Sequence, residues 1–426
     1  YAKIRLMNLF FYNFIIYLIF PFALLRLVYR GLIQREYLNY WQERLGVYPK
    51  KLNRWGTKKT LWLHCVSVGE TNAALPLVQM IIKDFPDITI ILSHGTLTGR
   101  KVIIKDAKRV HRCYLPFDLR GAVKNFLDYY QPSVGFIIET EIWPNLINQC
   151  HLKKIPLFLI NARLSEKSLN RYLPYRKIIS ETLDKLQHIY VQSSIDKINF
   201  ENLTKKPISI MGNLKFDAQP RKDIASKVKK LRDTLKIDKQ FVVVLSSSRD
   251  GEEEIILNFF KKIKFSNILV IIVPRHPERF DEVARLLDSY QLPYVRRSLS
   301  KKMDFCPGYI LGDSMGELYE YYGLANLVIM GGSIKNYGSQ NMIEAMLMNK
   351  PIAVGPSIYN FKHIVEMSQS RDLIFRFDKV DELENTINKL MHKGSLQKII
   401  AEKTSTFIKE NSGASKKILK LINQYF

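Results

Sequence analysis

The chain has 426 residues, 46% hydrophobic and 25% charged, a composition that belongs to a globular protein and excludes intrinsic disorder. That length exceeds one ordinary core, so two or three domains are expected. Sixty-five Lys and Arg against 40 Asp and Glu give a formal net charge of +25, which calls for an anionic partner: nucleic acid, an acidic lipid surface or a phosphorylated substrate.

The distribution of charge narrows that choice. Leu6 to Leu25 carries no charge, is rich in Phe, Ile, Leu and Tyr, and is bracketed by Arg5 and by Arg26 and Arg30. About 20 such residues suffice to cross a bilayer. Asn8, Asn13 and Pro21 interrupt the run, and its Tyr and Arg flanks also suit a helix lying in the interface. No small-residue cleavage site follows, so residues 1–36 are expected to be a permanent membrane anchor, single-pass or monotopic. A buried core helix is the alternative. The basic stretch Arg44, Lys50, Lys51, Arg54, Lys58 and Lys59 would then face the cytoplasm and anionic lipid.

From Leu61 strands and helices alternate. Leu61-Trp62-Leu63 begins a strand, and Ala74, Leu75, Val78, Ile81 and Ile82 recur behind it at helical spacing. Residues 64–70 therefore form a strand-to-helix turn, bent at Gly69, with Glu70 in the first turn of the helix. Glu70 has two readings. It complements the helix dipole, or it is an ionised carboxylate at the carboxyl end of a strand, where open α/β sheets place their active sites. Residues 88–92, 134–138, 156–160 and 188–191 read as short, doubly buried strands, and the unit closes near 208–217. A basic helix over 221–236 opens a second unit, with strands at 241–245, 268–273, 309–311, 327–330 and 352–354. The last residues, from Ala401, read as helix ending in an apolar stripe of Ile418, Leu419, Leu421 and Ile422. The pattern is that of two parallel, doubly wound α/β sheets with a ligand cleft between their carboxyl ends.

Several strand ends carry chemistry. Glu139 and Glu141, two apart, can bind a divalent metal or polarise a hydroxyl, or pair with Arg or Lys. Asn161-Ala162-Arg163 ends the next strand in the same way. In the second unit Ser246–Gly251 and Val273–Arg279 put small and cationic residues at strand ends. Gly331, Gly332 and Gly338 form turns ahead of a helix, a ready site for anions, and Glu344 is placed to accept ribose hydroxyls. No P-loop, GxGxxG or zinc spacing occurs. His64, His94 and His276 stand alone and read as scaffold. Cys65, Cys113, Cys150 and Cys306 form no CxxC pair and read as free thiols in a reducing compartment.

The ordered motifs are SVGE at 67–70, ETEIWPN at 139–145, NARLS at 161–165, NLKFD at 213–217, PRHPERF at 274–280, GDSMGEL at 312–318, GGS at 331–333 and NMIEA at 341–345. Together they resemble the 3-deoxy-D-manno-octulosonic acid (Kdo) transferases of lipopolysaccharide synthesis, as far as about His363. The resemblance implies a GT-B glycosyltransferase of two Rossmann-like domains, 37–217 for the acceptor and 218–426 for the donor. It implies CMP-Kdo as donor, a lipid A precursor as acceptor, inversion of the anomeric centre, and neither metal nor other cofactor. The site would lie at the cytoplasmic face of the inner membrane. By position, Glu70 would be the general base, and Glu139 and Lys215 would stabilise the transition state. Pro274, Arg275, Met315, Gly316, Glu317, Asn341, Met342, Ile343 and Glu344 would bind CMP. The chain departs from the family at Gln340 and Arg249, where His is usual, and at Met342, where Pro is usual. Gln340 donates a hydrogen bond but cannot titrate.

Two other classes compete. One is a GT-B transferase or epimerase using a UDP or GDP sugar, which nucleotide preference would reveal. The other is a basic nucleic-acid-binding protein. No nucleic-acid motif occurs, and residues 1–60 hold eleven Lys and Arg against two Glu beside the most apolar segment, so no nucleic-acid partner is expected.

Overall fold

The computed structural model describes residues 8–49, 59–263, 267–300 and 306–426. Arg5, Lys50, Lys51, Arg54 and Lys58, named above as basic flanks, lie outside the described residues. The chain divides into two compact units, Tyr1–Ala218 with Ser412–Phe426, and Gln219–Asn411.

The first unit is a parallel sheet of seven strands: β1 (Lys59–His64), β2 (Ile88–His94), β3 (Val110–Tyr114), β4 (Val134–Ile138), β5 (Leu157–Ala162), β6 (His188–Val191) and β7 (Ile208–Ile210). Their order is β3-β2-β1-β4-β5-β6-β7, so the winding reverses between β1 and β4. Alternation of side chains along β1 feeds two cores. Trp62 packs with Ile91, Phe126 and Ile137, while Leu61 and Leu63 join Leu77, Ile90, Phe136 and Phe158 on the other face. Trp62 also needs Gly135 on the neighbouring strand, because a Cβ there would lie 2.7 Å from the indole. Burying each of these large side chains contributes about 1.5–3 kcal/mol.

Residues 412–426, expected with the second domain, belong to the first unit. Asp217 accepts hydrogen bonds from the amides of Gly413 and Ser415 and so caps the helix Ala414–Ile422. Its Ile418 and Ile422 are fully buried in the core beside α2 (Val68–Asp84).

Helix α1 (Leu9–Ile33) is capped by Asn8, whose side chain accepts from Phe11 N at 3.0 Å. Its most apolar stretch has mean hydropathy 1.9. Leu9, Tyr12, Asn13, Ile16, Phe20, Ala23 and Leu24 are half-buried, and Leu27 and Gly31 are buried. That three-and-four spacing runs the length of the helix and marks one face docked along the first unit. Phe20 meets Phe117 edge-on at 5.6 Å. The other face is bare: Phe10 is 81% exposed and Leu32 77%, with Phe14, Leu18, Phe22 and Leu25 between them. Helix α1 is therefore not a core helix.

The second unit is a parallel sheet of β8 (Phe241–Ser248), β9 (Ile268–Pro274), β10 (Tyr294–Arg296), β11 (Tyr309–Leu311), β12 (Leu327–Met330), β13 (Ile352–Val354) and β14 (Ile374–Arg376). The order is β10-β11-β9-β8-β12-β13-β14, with the reversal between β8 and β12. Three strands go unread in the sequence, β3, β10 and β14, and each is the edge of its sheet. Edge strands carry charge and are incompletely buried, as Arg112, Arg296 and Arg376 are here, so they lack an unbroken apolar run.

Candidate active site

In the first unit the ends of β1 and β4 meet at the reversal of winding, where open α/β sheets form a ligand crevice. Ser67 caps α2. Its Oγ accepts from Glu70 N (3.4 Å) and donates to Glu70 Oε1 (3.0 Å), while Val66 N donates to Oε2 (2.6 Å). This resembles a capping box, except that the glutamate reaches the amide of Val66, one residue before the cap, instead of that of Ser67. The same carboxylate thus bonds across the helix start and stands just past the end of β1. It is 9% exposed. Burial pushes its pKa up to about 7, and the nearby Glu139 carboxylate adds to this, against the capping bonds that favour the charged form. A carboxylate titrating there is matched to taking a proton at neutral pH.

Glu139 follows β4 with a left-handed φ of +63°, a conformation that costs a side chain roughly 1–2 kcal/mol. Its carboxylate lies 3.0 Å from Lys215 Nζ. Of the alternatives open for Glu139 and Glu141, the cationic pairing is the one observed for Glu139. Burial raises Glu141 to about 6. Lys215 is held by the turn Leu214–Asp217, where Asn213 Oδ1 accepts from Lys215 N (2.9 Å) and Asn161 Oδ1 from Leu214 N (3.0 Å). Asn161, at φ +52°, thus uses a second bent strand end to fix Lys215. His64 and His94 are buried beneath this site; burial lowers them to about 4 and about 3, which leaves both neutral.

In the second unit Pro274 is buried at the end of β9, and Arg275 beyond it is exposed. The turn after β11 puts Met315 71% into solvent beside Gly316 at φ +85°. Glu317 supports that turn, accepting from Arg297 (2.7 Å) and from the Ser314 hydroxyl. Asn341 opens the short helix Ile343–Leu347. Its Oδ1 accepts from Ile343 N and its Nδ2 donates to Glu344, each at 3.2 Å. Met342 and Ile343, expected to bind CMP, are fully buried, backbone included, and present no surface to a ligand in this structure. Tyr322, fully buried, is hydrogen-bonded to Ser246 on β8 (2.7 Å). Arg249, the departure from the family pattern, reaches His276 Nε2 at 2.9 Å and stacks over Tyr337.

The glycine turn after β12 does not present the open amides expected of an anion site. The amides of Gly332 (2.7 Å), Ile334 (3.0 Å) and Lys335 (3.1 Å) all donate to the fully buried carboxylate of Glu252, as does Arg249 N (2.8 Å). Sequence reasoning missed Glu252. Its only signal is its place in the acid run 252–254 straight after Gly251, which also describes any helix start.

Two doubly wound parallel sheets of this kind define a GT-B fold. Solved structures agree on the fold. A glycosyltransferase from Rickettsia africae matches with TM-score 0.59 at 14% identity, over 86% of this chain and 98% of that one. A UDP-GlcNAc 2-epimerase from Neisseria meningitidis matches with TM-score 0.57 at 14% identity, over 86% and 100%. The family model described as 3-deoxy-D-manno-octulosonic-acid transferase (kdotransferase) matches residues 39–218. The 3-deoxy-D-manno-octulosonic acid transferase of Haemophilus influenzae is 32% identical over 371 residues, 86% of this chain and 87% of the relative. The chain belongs to the Kdo transferase family.

Proposed function

We propose that this enzyme transfers Kdo from CMP-Kdo to a lipid A precursor, a tetra-acyl disaccharide bisphosphate, with inversion at the anomeric carbon. The observation that carries the proposal is Glu70: a buried carboxylate at the β1/β4 switch point, raised to about 7, in a chain of the Kdo transferase family. Glu70 accepts the proton of the acceptor hydroxyl as that oxygen bonds to the anomeric carbon. The bond from this carbon to the phosphate oxygen breaks, and CMP leaves with the electron pair. Glu139 and Lys215 stabilise the transition state, and Arg275 offsets charge on the departing phosphate without a metal. Pro274, Met315 and Gly316, with the side chain of Asn341, hold CMP, and the buried Met342 and Ile343 anchor the helix that carries Asn341's partner Glu344. Glu317 keeps their turn in place, and Glu344 accepts the ribose hydroxyls. The first unit takes the acceptor and the second the donor.

Helix α1 lies in the interface at the cytoplasmic face of the inner membrane. Its docked stripe supports monotopic attachment, since a helix held lengthwise against a folded unit leaves only its bare apolar face for lipid. Arg26, Arg30 and Arg35 flank that face for anionic headgroups.

The test is incubation of the full chain with CMP-Kdo and a tetra-acylated lipid A precursor, with products resolved by mass. A product heavier by Kdo residues is expected, before and after exhaustive chelation. No mass gain, or turnover of a UDP or GDP sugar instead, would overturn the donor assignment. Activity abolished by chelation would overturn the metal-free step.

A further inference from the structure

Helix α1 is bound to the first unit by polar bonds as well as apolar contacts, and those bonds converge on one buried carboxylate. Asp118 is 3% exposed. Tyr12 Oη donates to its Oδ2 at 2.8 Å, Asn145 N donates to the same oxygen at 2.9 Å, and Leu146 N donates to Oδ1 at 2.8 Å. The Asn145 side chain, also buried, donates from Nδ2 both to the Asp118 carbonyl (2.6 Å) and to Asn13 Oδ1 (2.7 Å). Tyr12 and Asn13 belong to α1, while Asn145 and Leu146 begin the helix Pro144–Leu152.

That helix has no side-chain cap of its own from Trp143, so Asp118 serves as its cap from another segment. The clamp stands at one end of the loop 139–143, which carries Glu139 and Glu141. At the other end Thr140 Oγ1 accepts from Arg163 N at 3.1 Å. The loop is therefore strung between the sheet and a clamp that includes the membrane-facing helix. We propose that α1 is a positioning element of the acceptor site as well as an anchor: Tyr12 and Asn13, through Asp118 and Asn145, fix the loop that carries Glu139 and Glu141. A lipid-borne acceptor then meets this loop in its working geometry only when α1 is docked. The proposal rests on the acceptor assignment made above for the first unit.

The test uses the full chain in anionic phospholipid vesicles, as wild type, Tyr12→Phe and the double variant Tyr12→Phe, Asn13→Ala. Four quantities are read: amide hydrogen exchange over residues 139–147, vesicle binding, CMP affinity, and turnover at saturating acceptor. In the double variant exchange should quicken about tenfold as the Asn145 and Leu146 amides open more often. Turnover should fall about tenfold, because small displacements of catalytic groups are costly. CMP affinity and vesicle binding should stay as in wild type, a split that a general loss of folding would not give. The single variant should move both quantities in the same direction by less. Unchanged exchange, or faster exchange with full turnover, would overturn the proposal. Absence of Kdo transfer by the wild type would overturn the acceptor assignment instead, and the exchange measurement reads the clamp independently of it.

Discussion

The two sheets end their strands in opposite ways. In the first unit the charges are confined: Glu70 is 9% exposed and raised to about 7, and Glu139 is pinned to Lys215 at 3.0 Å. In the second unit the acids turn inward to hold loops. Glu252 gathers four backbone amides, Glu253 grips Arg279 (2.7 Å), and Glu317 grips Arg297 (2.7 Å), while Arg275 faces solvent. Under the proposed function the contrast separates two tasks. A proton acceptor must be desolvated to titrate near neutrality, which costs stability. A nucleotide site needs rigid backbone and an outward cation, and carboxylates buried against amides supply the rigidity.

Breaking the first side of this contrast has the largest expected effect. Glu70→Gln should lower turnover by about 10²–10⁴-fold while CMP affinity, measured by calorimetry, stays within about twofold. Lys215→Met, which leaves Glu139 without its cation, should cost about 10²-fold in kcat with the donor KM little changed, as read from initial rates. On the second side, Arg275→Ala should raise the donor KM about tenfold and leave kcat nearly intact, because under the proposed function it removes one charge-assisted contact to CMP.

The smallest effect is on stability, and its sign follows from the raised pKa. Glu70 titrates at about 7 in the fold against an ordinary 4.5, so the fold favours its protonated form. Its contribution is fully present below 4.5 and is lost as pH rises through about 7. Asp118 and Glu141, each raised to about 6 by burial, act in the same direction. Glu70→Gln should therefore stabilise the chain at pH 8 by about 1–3 kcal/mol and gain almost nothing at pH 4, which thermal melts at the two pH values would compare.

Much of this was legible from residue order. Ser67-Val68-Gly69-Glu70 spells a capping box, and the runs at 134–138 and 241–245 announce doubly buried strands. What stayed hidden depends on distance along the chain. The Glu139–Lys215 pair spans 76 residues, and Asp217 capping the helix at Gly413 spans 196, so neither leaves a local pattern. The apolar stripe at Ile418 and Ile422 is visible in sequence, but which sheet it covers is not. The glycine turn at 331–333 looked like an anion site because its amides were legible and their acceptor, Glu252, some 80 residues earlier, was not. Similarly, α1 showed its apolar length at once, whereas its polar grip through Tyr12 and Asn13 depends on Asp118, 106 residues away.

The central claim, a carboxylate base poised by burial, is tested most directly by the pH dependence of kcat/KM for Kdo transfer by the wild-type chain. That profile reports the ionisation of groups in the free enzyme. An acid limb centred near pH 7, with activity falling as Glu70 becomes protonated, is the predicted result. A rate that stays flat from pH 8 down to pH 5 would contradict it.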